Sequence, residues 1–235
     1  VRQTRADNIR VRIAAIEVLQ TLKQNYTHKE LASIFHLPIP VLSRYVNGRA
    51  LPGIERARWF LDIFYKRFLP ELVKKRVRTV DHVLDHTRLL EDANLLDKVA
   101  KAAYGALSRL NPTKILTVAT DGVPIANQVA EEFSIPMVVA KPVKEMGVTE
   151  FHEVKRVFSS GTYGFLYVPK RSIRRGDKVL LVDDVVRSGS TVDALLSLCK
   201  SIGASPVGLF TVIAFRHATE KVRSLGIPVE VVLEI

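Results

Sequence analysis

Asp183 and Asp184 stand side by side at the end of the apolar run 178–184, KVLLVDD, and Val185, Val186, Arg187, Ser188, Gly189, Ser190 and Thr191 follow. Adjacent carboxylates at the end of a buried strand offer acceptors for the vicinal hydroxyls of a ribose. A short loop of small hydroxyl residues that opens a helix is a phosphate cradle, because free backbone N–H groups and hydroxyls surround the anion at the positive helix end. A diol on one side and a phosphate on the other describe a ribose 5-phosphate. An isolated Asp-Asp pair is more often a solvated acidic patch; the whole string is far more specific.

These residues need a strand ending at Asp184 and a helix starting at Thr191. Further apolar runs at 114–120, 135–141, 163–169, 206–215 and 228–235 alternate with helical periodicity at 94–110, 124–134, 191–202 and 216–225. The alternation predicts an α/β domain with a parallel sheet, which collects ligands at the carboxyl ends of its strands. The polar stretch 142–162 interrupts it and reads as a loop. The first third reads as all-α. Ile9, Ile13, Ile16 and Leu19 fall at helical spacing with Asp7 as N-cap, and shorter helices follow Thr27, lie between Pro38 and Gly48, and run from Ile54 to a stop near Pro70. The stretch 71–93 reads as a partly helical connection.

Charge divides the same way. Of the net +11, residues 1–80 hold +10, with 16 Lys+Arg against 6 Asp+Glu. Such a block suits a nucleic-acid partner. No apolar run approaches the ~20 residues of a membrane span, the N-terminus has no signal-peptide core, and the single Cys199 forms no internal disulfide, so a cytoplasmic protein without membrane contact is expected.

Within the basic third, Thr27 and Glu30 stand at capping-box spacing, and Leu31, Ala32 and Phe35 form an apolar face. A turn at His36 and Leu37 precedes a second helix opened by Pro38, Ile39 and Pro40 and closed by Asn47 and Gly48. The pattern of Thr27, Leu31-Ala32, Leu37, Ser43-Arg44-Tyr45 and Asn47-Gly48 resembles the helix-turn-helix of phage-repressor-like regulators. His36 stands where that family usually has glycine, and histidine tolerates a positive φ better than most residues. The resemblance implies double-stranded DNA as partner. Arg44, with Ser43, would read base edges, Ile39 and Pro40 would contact apolar groove edges, and Thr27, His28, Asn47 and Arg49 would contact phosphates.

The string from Asp183 to Thr191 resembles the motif with which type I phosphoribosyltransferases bind phosphoribosyl pyrophosphate (PRPP). The resemblance extends over roughly 85–235. It implies that Thr120, Asp121 and Gly122 cradle the diphosphate, that a flexible loop from Lys141 through 162 closes over the site, and that 83–96 forms a hood over a base. It also implies Mg²⁺, held through PRPP and water near Asp183 and Asp184 rather than by direct protein ligands. In the orotate enzymes the closing loop carries an Arg-Lys-x-x-Lys-x-His pattern. Lys141 and Lys144 match its lysines, while Ala140 and Met146 replace its arginine and histidine. With half the cations missing and Arg187 added to the PRPP loop, the pocket reads as one that holds PRPP more than it turns it over.

The whole pattern therefore resembles the archaeal phosphoribosyltransferase-like transcription regulators and, in logic, the bacterial purine repressors. The expected organisation is a helix-turn-helix domain over 1–60, a helical connection over 61–84, and a PRPP-binding α/β domain over 85–235, acting as a homodimeric DNA-binding regulator with PRPP or a nucleotide as effector. The alternative is an active purine or pyrimidine phosphoribosyltransferase, with Lys144 as the catalytic cation.

Overall fold

The computed structural model describes residues 4–81, 83–158, 160–224 and 226–235. His82 in the expected connection, Ser159 in the expected closing loop and Leu225 at the end of the expected helix 216–225 lie outside them. The chain forms two compact units, Val1–Leu72 and Val73–Ile235.

The first unit is helical: α1 (Arg5–Lys23), α2 (His28–Ile34), α3 (Ile39–Val46) and α4 (Ile54–Ile63). Thr4, not Asp7, caps α1; Asp7 is the reciprocal partner in the capping box. Ile9 and Ile13 are exposed, at 41% and 45%, because only the later turns of α1 are covered, with Ala15, Ile16, Val18, Leu19 and Leu22 buried. Phe35, Phe60, Phe64 and Phe68 complete the core. Helix α4 does not stop at Pro70. A π-turn, Phe64–Phe68, leads into α5 (Leu69–Lys75), and this wider turn rearranges the hydrogen-bond ladder where proline has no N–H to give.

Helices α2 and α3 fall where expected, with the turn residue His36 at φ 45. The Thr27 hydroxyl accepts from the Glu30 N–H at 3.2 Å, and the Glu30 carboxylate in turn accepts from the Thr27 N–H at 2.7 Å. Loss of an N-cap hydroxyl costs about 1 kcal/mol. Thr27→Ala should therefore lower the denaturation midpoint reported by Trp59, the single tryptophan. An unchanged midpoint would remove the box as a contributor. Thr27, Ile39, Pro40, Arg44, Asn47 and Arg49 are exposed, while His28 and Ser43 are half-buried; Asn47 Nδ2 donates to Ser43 Oγ at 3.2 Å. Exposed residues on short paired helices are common to many helical bundles and do not make a DNA reader.

The second unit begins with a small antiparallel pair, β1 (Arg78–Val80) and β2 (Val83–Asp85), then α6 (Thr87–Leu90) and α7 (Ala93–Leu107). Its centre is a parallel sheet of five strands in the order β4 (Met137–Ala140), β3 (Lys114–Val118), β7 (Lys178–Val186), β8 (Ser205–Ala214) and β9 (Val229–Glu234). Helices α8 (Gly122–Phe133), α9 (Ser190–Ile202) and α10 (Arg216–Arg223) follow β3, β7 and β8. Strand β7 is central and nearly continuously apolar because both faces are covered. Cys199 of α9 is buried, and that burial pushes its thiol up to about 11, which leaves it unreactive near neutrality.

One expected strand belongs elsewhere. The run 163–169 does not join the parallel sheet: β6 (Tyr163–Pro169) pairs antiparallel with β5 (Phe151–Val157), inside the stretch read as a loop. The physical reason is a two-residue alternation in FHEVKRV that tracks burial. His152, Val154 and Arg156 are half-buried, whereas Glu153, Lys155 and Val157 are exposed. No helix among the described residues is long and apolar enough to cross a membrane.

Candidate active site

Two neighbouring strands deliver two loops to one place. Strand β7 ends in Asp183, Asp184, Val185 and Val186, and Arg187, Ser188 and Gly189 turn the chain into α9. Gly189 caps that helix at φ 77, a left-handed conformation that glycine adopts without steric cost. The Ser190 N–H donates to Ser188 Oγ at 3.4 Å, and the first-turn N–H groups of Thr191 and Val192 have no acceptor within the helix. Lys221 of α10 fixes the loop, with Nζ donating to Ser188 O at 3.4 Å and pairing with Asp193 at 2.5 Å. Strand β3, beside β7, ends at Val118. A cis peptide joins Ala119 to Thr120, and Asp121 caps α8 at Gly122.

Gly122 is where the loops meet. A Cβ on it would collide with the buried Thr117 Oγ1 and stand 3.2 Å from Asp183 Oδ1. Thr120, Asp121 and Gly122 and all nine residues from Asp183 to Thr191 line one cavity of about 230 Å³. The expected loop lysines do not. Lys141 Nζ pairs with Glu145 at 3.0 Å, and Lys144 Nζ lies 3.8 Å from Glu153 and 5.0 Å from the Tyr167 ring centre. Met146 is 98% exposed.

Val118, Ala119 and Val192 also line the cavity, as do two polar residues that spacing did not single out: His86 and Arg156. His86 falls in the segment 83–96 expected to form a hood, and it follows an anchored strand end. Asp85 takes a hydrogen bond from Arg78 at 2.7 Å and two from Thr87. The loop residue Arg187 donates to Leu84 O at 3.3 Å. His86 is buried, and its Nε2 lies 2.5 Å from Asp184 Oδ2 and 3.9 Å from Asp121 Oδ2. The ring N–H is not aligned on an acceptor, so the contact with Asp184 is one of charge more than of a directed hydrogen bond.

The two aspartates are shifted in opposite directions. Enclosure by protein, then the adjacent Asp184, pushes Asp183 well above the carboxylate range. Burial acts on Asp184 in the same direction, but His86 and the hydrogen bond with Asp183 outweigh it and hold the group below its ordinary value. His86 is raised in turn, chiefly by Asp184, against the effect of burial. Asp183 is thus biased toward its protonated form, Asp184 toward its ionised form, and His86 toward its charged form. His86, Asp121 and Asp184 bring one donor atom each within 4.8 Å of one another. In this grouping Asp121, from the other loop, stands beside Asp184, one of the two aspartates near which Mg²⁺ is expected.

Residues 85–231 match the phosphoribosyl transferase domain. The chain belongs to this family. The xanthine phosphoribosyltransferase of Lachnoclostridium phytofermentans is 30% identical over 176 residues, 68% of this chain and 89% of that protein. The purine biosynthesis transcriptional repressor PurR of Bacillus subtilis is 27% identical over 138 residues, 57% of this chain and 48% of that protein. In fold, the phosphoribosyltransferase unit is similar to the adenine phosphoribosyltransferase of Rhodothermus marinus, with a TM-score of 0.63 and 22% identity over 72% of this chain and 99% of that one. These relatives overturn the main expectation of a DNA-binding regulator. The repressor is matched over about half its length, the xanthine enzyme over nearly all of it, and the likenesses favour the enzyme alternative.

Proposed function

We propose that the protein is an active phosphoribosyltransferase that joins a purine base to PRPP. A ring nitrogen of the base attacks C1 of the ribose, the bond from C1 to the diphosphate oxygen breaks, diphosphate leaves, and the base gives up the N–H proton. The observation that carries this reading is the meeting of Asp183 and Asp184, the helix start after Gly189, and the loop 120–122 around one cavity. The helix start and its hydroxyls would take the 5-phosphate. Ionised Asp184 would accept a hydrogen bond from a ribose hydroxyl, and protonated Asp183 would be able to donate one. The backbone of 120–122 would face the diphosphate, where Gly122 permits close approach.

Asp121 and Asp184 suit Mg²⁺, an oxygen-seeking ion that keeps water in its shell; His86 nitrogen is a poorer donor for it and is better placed to balance Asp184. When bound, the ion would offset negative charge on the diphosphate. The purine assignment rests on the xanthine and adenine enzymes among the relatives.

Incubation with Mg-PRPP and xanthine, hypoxanthine, guanine, adenine or orotate, with chromatography of the products, tests the proposal. One purine should yield its nucleoside monophosphate and an equal amount of diphosphate. Absence of product with every base would overturn it, and turnover of orotate alone would reject the purine assignment.

A further inference from the structure

The cations expected to act on the diphosphate, Lys141 and Lys144, are engaged by Glu145 and Glu153 and lie outside the cavity. Loss of a diphosphate nonetheless needs positive charge where the negative charge develops. Among the described residues that line the cavity, the arginines and lysines are Arg156 and Arg187. Arg187 lies in the loop that opens α9 and donates to Leu84 O. Arg156 comes from the other side, on the β5–β6 hairpin.

Its placement follows from the strand. Val154 packs against the core of the α/β unit. Arg156, two residues on, shares that inward face at the cavity's edge. The guanidinium carbon lies 4.7 Å from the centre of the Phe158 ring, a contact that orients its plane. Arg156 Nε is buried without a hydrogen-bond partner, and no ion pair with Arg156 forms among the described residues. Its electrostatic neighbour is Asp183, whose Oδ1 abuts the loop position of Gly122. Burial lowers the Arg156 pKa, but a guanidinium starts so high that it stays charged. A half-buried, oriented, unpaired guanidinium is costly unless an anion completes it, and its planar fork matches phosphate oxygens.

We infer that Arg156 grips the diphosphate of PRPP and stabilises it as it leaves, the role that the resemblance to the orotate enzymes implied for Lys144. The inference rests on the proposed phosphoribosyltransferase activity. It makes the β5–β6 hairpin a third wall of the site, contributed by a strand rather than by a mobile loop.

Calorimetric titration of the full chain with magnesium diphosphate separates the candidates. For Arg156→Ala the dissociation constant should rise by about 10- to 100-fold, as for loss of a charged group from a phosphate site. Arg156→Lys should recover part of the loss, since it keeps the charge and loses the fork. Lys144→Ala should stay within about twofold of the parent, as an exposed pair contributes little. In steady state, Arg156→Ala should lower kcat and raise KM for PRPP while leaving KM for the base unchanged, a split that general loosening would not give. Thermal melting of Arg156→Ala should stay close to the parent, because the interaction lost within the protein is the contact with the exposed Phe158 ring. Parent-like diphosphate affinity in Arg156→Ala, or the loss appearing in Lys144→Ala instead, would overturn the inference. A parent protein that neither binds diphosphate nor turns over any base would overturn the proposed function, and this inference with it.

Discussion

Asp184→Asn is expected to lower kcat/KM for PRPP by roughly 10²- to 10³-fold, and Asp183→Asn by less than about tenfold. The asymmetry follows from the opposite shifts of the pair. Asp184 is held ionised by His86 and by the hydrogen bond with Asp183, so its amide replacement removes a charge from the ribose side of the cavity. Asp183 is pushed toward its neutral form by its surroundings and by Asp184. An amide in its place keeps the size and the ability both to donate and to accept. Asp184→Asn also leaves His86 with the distant Asp121 as its acidic neighbour, so the imidazole pKa should fall toward its ordinary value. Steady-state kinetics at saturating base, with an NMR titration of the His86 ring, read both effects. Equal losses in the two variants would reject the bias of Asp183 toward its protonated form.

The parts of this site that were legible in the sequence are contiguous ones. A strand, two carboxylates, a glycine in a left-handed turn and a helix start all occur within 178–202, and each has a local cause. The loop 120–122 was placed by the resemblance, through a contiguous run of its own. What stayed hidden depends on how distant segments fold over that core. His86 gave only a segment, because nothing in a lone histidine states which carboxylate it will face. Arg156 was hidden by a wrong element: 142–162 looked polar and weakly periodic, and only pairing with β6 shows that FHEVKRV alternates as a strand. Lys141 and Lys144 were assigned by matching residue types along the chain, and the structure places them outside the cavity lining. Their partners, Glu145 and Glu153, lie in the same stretch, and a charge pattern can be satisfied locally as easily as by a ligand. The first third shows the opposite failure. Capping and turn chemistry there predicted the positions of α2 and α3, but a helix pair is generic, and the function attached to it did not follow from the geometry.

Gly122→Ala should lower both stability and catalysis, and a second substitution should separate the two losses. The backbone at Gly122 is not left-handed, so the requirement for glycine is one of space. An added Cβ meets Thr117 Oγ1 within the protein and comes 3.2 Å from Asp183 Oδ1. Thr117 lies in the fully buried part of β3, where neighbours yield little. Overpacking of this kind costs about 1–3 kcal/mol, or a fall in Tm of about 2–10 °C for a unit of this size. The same methyl group presses on the carboxyl that borders the diphosphate loop, so kcat/KM for PRPP should drop by at least about tenfold. Thr117 Oγ1 is buried without a partner, so its removal leaves no hydrogen bond broken. The double variant Gly122→Ala, Thr117→Ala should therefore regain much of the lost Tm, with the Cβ occupying the space vacated by the threonine side chain. It should regain little of the activity, because the contact with Asp183 and the narrowed approach to the loop remain. Thermal melting and PRPP kinetics of the two single variants and the double variant decide the matter. A Gly122→Ala protein with parental Tm would show that the seam between the two loops has room the structure does not give it. Full recovery of activity in the double variant would show that the effect on catalysis ran through Thr117 and the fold, and that Gly122 does not shape the diphosphate cradle.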